Sequence, residues 1–339
     1  MQDIGVGLIG YGLGGRAFHA PFVRTTPGMT LRAVVSRDAA KVHADLPGMT
    51  VVPDVDALLA QSGVDLVVVS SPDELHAEHA LAALTTGKHV LVDKPFATNL
   101  TDARAIVKAG EAARRVVTVF QNRRWDADFL TLKQIIAEGA LGEVVQFESH
   151  FDRWRPTAPA TWKEARAGGS WQDLGPHLVD QALQLFGRPE SITADIAALR
   201  EGAPGPDYFH VTLRYPGRRV LLHSSKLVAQ HSLRFAVHGT RGSWIKHGLD
   251  TQEAAAVAGR LPGEGDWGLD PLEGMMTHSD GTTAAVPNAR GDYRQLWLQL
   301  AAAIRGEGRN PVPASDGVEV IEIIEAGLLS AAERREVSL

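Results

Sequence analysis

Residues 4–15, Ile-Gly-Val-Gly-Leu-Ile-Gly-Tyr-Gly-Leu-Gly-Gly, run a strand of buried type straight into a cluster of glycines. Gly10, Gly12 and Gly15 stand in G-x-G-x-x-G spacing, and Arg16 to Val23 behind them can continue as a helix. Each part has a physical task. The first glycine permits a tight turn, the second lets the backbone approach a pyrophosphate, and the third lets helix and strand pack closely. The helix start adds free N–H groups and the positive end of a dipole. Strand before and helix after predict a dinucleotide site, with Gly10, Gly12, Leu13 and Gly15 around the phosphates. The competing reading is an ordinary strand-to-helix turn.

The next strand bears on which dinucleotide. Leu31 to Val35 ends in Ser36-Arg37-Asp38, with Lys41 one helical turn on. An NAD site places an acid at this strand end for the ribose 2′-hydroxyl, whereas an NADP site removes it and supplies a cation for the 2′-phosphate. Ser36 sits at the acid's position, and Arg37 can pair with a phosphate in a charge-assisted way. A one-residue shift would make Asp38 the ribose ligand. NADP is therefore the expected cofactor, with NAD as the alternative, in which Arg37 and Lys41 are solvated surface.

At 339 residues the chain has length for two domains with their own cores. The net charge of −6 carries no basic block, which argues against nucleic-acid binding. No apolar run approaches the roughly 18 residues of a membrane helix, and the N-terminus lacks a signal pattern. With no cysteine, disulfides and thiolate metal sites are excluded, and a cytoplasmic protein is expected.

Up to residue 122 strands and helices alternate. Strands are expected at Val6–Ile9, Leu31–Val35, Thr50–Val52, Asp65–Ser70, His89–Val92 and Val116–Phe120, with Asp54 and Asp73 as helix N-caps and Gly87 as a C-terminal stop. Runs such as Leu66-Val67-Val68-Val69 suit a parallel strand covered on both faces. This describes a doubly wound Rossmann sheet over 1–122. Residues 123–339 then read as an α+β domain: a helix near Asp126–Glu138, an alternating strand Val144–Phe151, a helix near Pro176–Phe186, and strands Ser191–Leu199, Tyr208–Tyr215, Arg219–Leu227 and Ser232–His238 in a largely antiparallel sheet. Residues 258–290 read as irregular, followed by amphipathic helices near Asp292–Ile304 and Asp316–Arg334.

Two clusters carry chemistry. Asp93-Lys94-Pro95 follows the fifth strand, at the ligand edge of the sheet, where a lysine can reach the cofactor–substrate junction; a plain surface lysine is the bland alternative. The second is Gly168–Asp180, Gly-Gly-Ser-Trp-Gln-Asp-Leu-Gly-Pro-His-Leu-Val-Asp. Because proline is tolerated in a helix's first turn, this helix is expected to begin near Asp173 to Pro176. Asp173, His177 and Asp180 then share one face, a histidine between two carboxylates, which is the pattern of an oriented general base. Helix capping by Asp173 and a buried hydrogen bond of His177 would give the same pattern.

Val6–Pro21, Ala82–Pro95 and Gly168–Asp180 together resemble the Gfo/Idh/MocA oxidoreductases, and the likeness extends to the final helix. Phe120–Asp126, Phe147–Arg153 and Asp173–Leu183 look like the NADP-dependent scyllo-inositol 2-dehydrogenase branch, although Asp93 stands where relatives usually carry glutamate. The resemblance implies hydride transfer from a secondary hydroxyl of a cyclic polyol or sugar. Lys94 would assist the developing alkoxide beside the nicotinamide, and His177 would accept the proton. Asp173 would hold substrate, Asp180 or Asp173 would orient His177, and Ser71, Pro72, His76 and Asp93 would line the cofactor. No metal is expected. The loop from Asp152-Arg153-Trp154-Arg155 through Trp162-Lys163, with Arg124, offers hydrogen bonds and aromatic faces to a polyol or, equally, to an interface. A homo-oligomer, dimer or tetramer, is implied as well. An aldose substrate and an NADP-binding regulatory protein are the alternatives.

Overall fold

A computed structural model describes residues 3–158, 169–230 and 233–339. Trp162, Lys163, Gly168 and Ser232, named above, lie outside the described residues. The chain forms two compact units: Met1–Asn122 with Gln252–Trp267 and Asp292–Ile321, and Arg123–Thr251 with Gly268–Gly291 and Glu322–Leu339. The chain thus does not divide at a single cut, because two later segments return to the first unit. There Trp267 packs 5.8 Å from Phe22, and Trp297 packs 5.9 Å from His19, ring centre to ring centre.

In chain order the first unit begins with β1 (Ile4–Ile9), α1 (Ala20–Thr25), β2 (Met29–Val35), α2 (Ala39–Asp45), β3 (Thr50–Val52) and α3 (Val55–Leu59). It continues with β4 (Leu66–Val69), α4 (His76–Thr85), β5 (His89–Val92), α5 (Leu100–Ala113) and β6 (Val117–Val119). All six strands are parallel, in the order β3-β2-β1-β4-β5-β6, so the chain reverses direction across the sheet beside β1. Every residue of β1 and β4 is buried, as crossover helices on both faces require. Asp54 caps α3 through the Ala57 N–H, and Gly87, at φ 73°, ends the α4 turn. Asp73 does not precede a helix as expected. It sits inside a short 3₁₀ turn, Asp73–Leu75, because Pro72 bends the chain one residue earlier, and α4 begins at His76.

The remaining elements are α6 (Ala127–Ala137), β7 (Val144–His150), α7 (Gly169–Phe186), β8 (Ser191–Ala197), β9 (Tyr208–Tyr215), β10 (Arg218–Ser225), β11 (Leu233–Gly239), β12 (Gly242–His247) and α8 (Gln252–Val257). They are followed by β13 (Gly274–His278), β14 (Thr283–Val286), α9 (Arg294–Ile304), α10 (Ala314–Glu333) and β15 (Val337–Ser338). Nine strands form one sheet in the order β14-β13-β12-β11-β7-β10-β9-β8-β15, antiparallel except for the pair β7 and β10. Gly217, at φ 69°, makes the two-residue turn that pairs Tyr215 with Arg218. The segment 258–290, expected to be irregular, contains the hairpin β13–β14. Its last strand is exposed along almost all its length, so no alternation of apolar and polar residues marks it.

The helix bearing the histidine cluster departs from expectation. α7 is helical from Gly169, with Pro176 in its interior rather than in its first turn. Proline withdraws one N–H, and its ring crowds the residue before it. That residue is Gly175, where a Cβ would stand 2.6 Å from Trp171 Cε3 and 2.9 Å from Ile324 Cδ1. The turns ahead of the proline are held from outside. The buried Trp171 indole N–H donates to the Ile324 carbonyl at 3.0 Å, and the Ser170 N–H to the Pro206 carbonyl at 2.8 Å. Tertiary anchoring outweighs the local proline signal.

Candidate active site

The glycine loop connects β1 to the first helical turns. Gly10 has φ 95°, and a Cβ there would lie 2.4 Å from the Ser70 carbonyl oxygen. A Cβ at Gly15 would lie 2.2 Å from the Gly10 carbonyl oxygen. Gly12 differs: nothing lies within 4 Å of its Cβ position, and Gly12 and Leu13 are exposed. Gly15 thus closes the loop on itself and Gly10 packs it against the end of β4, while Gly12 keeps a bare stretch of backbone open. That cradle suits the approach of a pyrophosphate, so the residues present fit a dinucleotide. The helix behind it begins as a π turn, Gly14–His19, before the α-helical geometry of α1. Gly14, a position outside the fingerprint, is equally constrained, since a Cβ would meet Ser70 Oγ at 2.6 Å.

At the end of β2 the Asp38 carboxylate accepts the Lys41 N–H at 2.9 Å and so caps α2. Ser36 Oγ accepts the Asp38 N–H at 3.1 Å. Arg37 and Lys41 are exposed, and among the described residues no carboxylate forms a salt bridge with either. The acid that could have served a ribose hydroxyl is occupied by its own helix, with two cations beside it.

Asp93 follows β5 and is the centre of a polar cluster invisible in the linear sequence. His19 Nε2 lies 3.0 Å from Asp93 Oδ2, the Ser70 hydroxyl donates to the same oxygen at 3.1 Å, and the Lys94 N–H donates to Oδ1 at 2.8 Å. Burial alone would raise the Asp93 carboxyl, but His19, His76 and Lys94 together hold the group below the usual carboxylate range. The Lys94–Pro95 bond is cis. His76 is buried, with Nδ1 2.7 Å from the Pro95 carbonyl oxygen and Nε2 3.0 Å from that of Ser71. His76 thus lies between the loops after β4 and β5, within reach of a carbonyl of each. Ser71 keeps its hydroxyl 2.9 Å from His79 Nδ1, and Pro72 is exposed beside it.

On α7, Asp173, His177 and Asp180 fall on one helical face, as i, i+4 and i+7 positions must. Asp173 is half-buried, while His177 and Asp180 are buried. Asp180 is gripped through both oxygens by Arg124, Nε to Oδ2 at 2.9 Å and Nη2 to Oδ1 at 2.6 Å. Arg124 is therefore tied to this helix face. The next residue, Gln181, joins a second buried guanidinium: Arg234 donates to Gln181 Oε1 at 2.8 Å, Asp128 Oδ2 at 3.0 Å and Ser149 Oγ at 2.8 Å. Asp126 lies in the same network, 3.3 Å from Arg123 Nη1. Burial, with Asp250 and Asp128 adding to it against Arg123 and Arg234, pushes its carboxyl well above the usual range. The helical spacing of the Asp-His-Asp face was readable in the sequence, but its arginine partners were not. Asp152, placed by sequence in a substrate loop, is buried and accepts the Ser225 N–H at 2.8 Å.

Residues 4–121 match the NAD-binding Rossmann fold of the Gfo/Idh/MocA oxidoreductase family, and residues 133–339 match its C-terminal alpha/beta domain. The chain is 48% identical to YdgJ, an uncharacterized oxidoreductase of Escherichia coli (strain K12), covering 100% of this chain and 99% of that protein. It is 37% identical to the scyllo-inositol 2-dehydrogenase (NADP(+)) IolW of Bacillus subtilis (strain 168), covering 100% and 97% respectively. A solved oxidoreductase structure from Yersinia pestis superposes with a TM-score of 0.96 at 47% identity, over 100% of this chain and 97% of the other. With glycine loop, parallel sheet and mixed sheet all accounted for by these matches, the chain belongs to the Gfo/Idh/MocA family of oxidoreductases.

Proposed function

We propose that this protein is an NADP-linked dehydrogenase that oxidises a secondary hydroxyl of a cyclic polyol, with scyllo-inositol as the best candidate. The observation that carries the reading is the end-to-end similarity to IolW, at 37% identity. The capping role of Asp38 supports the choice of NADP, since it leaves Arg37 and Lys41 facing a 2′-phosphate without a competing carboxylate. When bound, the nicotinamide supplies the hydride acceptor.

The chain's own residues supply alignment, one base and one positive charge. His177 takes the hydroxyl proton, and Asp173, less buried on the same face, holds a neighbouring substrate hydroxyl. Asp180, paired with Arg124, stabilises the histidine face when the imidazolium forms. Lys94 stabilises the developing alkoxide, its backbone fixed by the Asp93 carboxylate. Gly10, Gly12, Leu13 and Gly15 hold the pyrophosphate, Ser36, Arg37 and Lys41 the adenosine ribose and its phosphate, and Ser71, Pro72, Asp93 and Lys94 the nicotinamide side. His76 acts indirectly, by holding two of those loops together. Oligomerisation through a second copy is part of the same reading and is checked by light scattering.

The test is reduced-cofactor formation with a panel of inositols and aldoses. Polyol-dependent NADPH formation that falls about 10³-fold in His177→Ala and Lys94→Ala supports it. Arg37→Ala should lower the preference for NADP over NAD by about tenfold or more. Turnover confined to glucose or xylose would replace the substrate class. NADP binding without any turnover would favour a regulatory protein.

A further inference from the structure

β7 and β10 bring together a second set of chemically capable side chains. The two strands run parallel with His150 opposite His223. Side chains two apart along a strand share a face, so Asp152, just past the end of β7, projects on the same side as His150. The pairing continues beyond the named strands, with the Phe151 N–H donating to the His223 carbonyl and the Arg153 N–H to the Ser225 carbonyl, both at 2.9 Å. One ligand atom from each of His150, Asp152 and His223 lies within 4.8 Å of the others.

The distances leave room for a shared cation. His150 Nδ1 is 3.5 Å from Asp152 Oδ2, and His223 Nε2 is 3.5 Å from Asp152 Oδ1. Good N–H···O bonds are shorter, roughly 2.7 to 3.2 Å. Donors bound tetrahedrally to one zinc ion at about 2.0–2.2 Å sit about 3.3–3.6 Å apart, so this set, spread over 4.8 Å, draws in to hold one ion. The outer contacts also suit a metal site. Glu148 Oε2 stands 3.4 Å behind His150 Nε2, and its other oxygen accepts Gln146 Nε2 at 2.6 Å. The Asp152 carboxylate is oriented by the Ser225 N–H. A carboxylate behind a ligating imidazole is the common outer-shell arrangement, fixing tautomer and ring orientation.

We propose that His150, Asp152 and His223 form a binding site for a divalent transition metal of the zinc class. Two imidazoles and one carboxylate suit zinc, cobalt or nickel and disfavour calcium and magnesium, which take oxygen ligands. The ion ties the ends of two parallel strands contributed by segments 73 residues apart, Asp152 and Ser225 marking the span. None of the three ligands takes part in the proton transfer proposed above, so this site stands or falls apart from that reading.

The experiment is a cobalt(II) titration of the EDTA-treated full chain, followed by visible d–d absorbance and back-titrated with zinc. One Co²⁺ per chain, displaced by Zn²⁺, is expected. Affinity should fall by about 30-fold or more in His150→Ala, in His223→Ala and in Asp152→Asn, which keeps an acceptor for the Ser225 N–H. Zinc should also raise the melting temperature of the wild type by several degrees, reversibly with EDTA. If the alanine variants do not fold, His223→Gln is titrated in their place. Lack of saturable absorbance in the wild type, or binding that survives these substitutions, overturns the proposal.

Discussion

Asp93 and Asp126 are the same residue type in two low-exposure settings, and their carboxyls move in opposite directions. Asp93, at the ligand edge of the parallel sheet, faces His19 and accepts the Ser70 hydroxyl and the Lys94 N–H, and it is held ionised. Asp126, in the charge network of the second unit, faces Arg123 but also the carboxyls of Asp250 and Asp128, and burial pushes it up. Burial opposes ionisation in both. The balance is decided by how many cations and donors each carboxyl meets against how many like charges. In the first unit the Asp93 carboxylate therefore fixes the loop that offers Lys94. The second packs several like charges closely enough to push one carboxyl well above the usual range.

The sharpest way to break this contrast is to remove a cation from the second unit. Arg124→Ala leaves the buried Asp180 carboxylate without its bidentate partner, and unfolding in urea at pH 7 should show a loss of about 3 kcal/mol or more. A loss under about 1 kcal/mol would show that the network behaves like a solvated surface pair. In the first unit the matching substitutions are at glycine. Gly15→Ala places a Cβ against the Gly10 carbonyl and should cost about 1–3 kcal/mol together with the dinucleotide-induced melting shift. Gly12→Ala meets nothing, so stability should stay within about 0.5 kcal/mol of wild type while dinucleotide affinity falls about tenfold.

The smallest effect is the most diagnostic. A carboxyl lowered in the fold contributes stability above its unfolded value, about pH 4, and loses it as pH falls further. The advantage of wild type over Asp93→Asn should therefore be flat from pH 5 to 8 and shrink below about pH 4. A carboxyl raised in the fold keeps a proton that the unfolded chain releases. Wild type should thus lose stability relative to Asp126→Asn as pH rises from 5 to 8, by at most about 1.4 kcal/mol per pH unit. Urea unfolding across that range separates the two, and parallel curves would refute the contrast.

What could be read in advance was local. The glycine spacing, the buried β4 run and the Asp54 cap all depend on neighbours within a few positions. The helical stripe Asp173, His177, Asp180 was legible for the same reason. Local signals misled where distant packing overrode them: Pro176 sits inside α7 because Trp171 anchors the preceding turns on Ile324. Asp73 failed as a cap because the backbone turns at Pro72 before α4 starts. The β13–β14 hairpin stayed hidden because an exposed edge strand needs no alternating pattern.

By itself, then, the sequence determined the parallel dinucleotide-type sheet, the order of its elements and the residue types offered at its ligand edge. Periodicity, glycine conformation and capping are properties of short windows. Tertiary structure alone decided which charges meet. It set His19 on Asp93 across 74 positions, Arg124 on Asp180 across 56, and His223 beside Asp152 through the parallel register of β7 and β10. Pairing at such separations is fixed by sheet register and helix packing, to which no short window of residues has access.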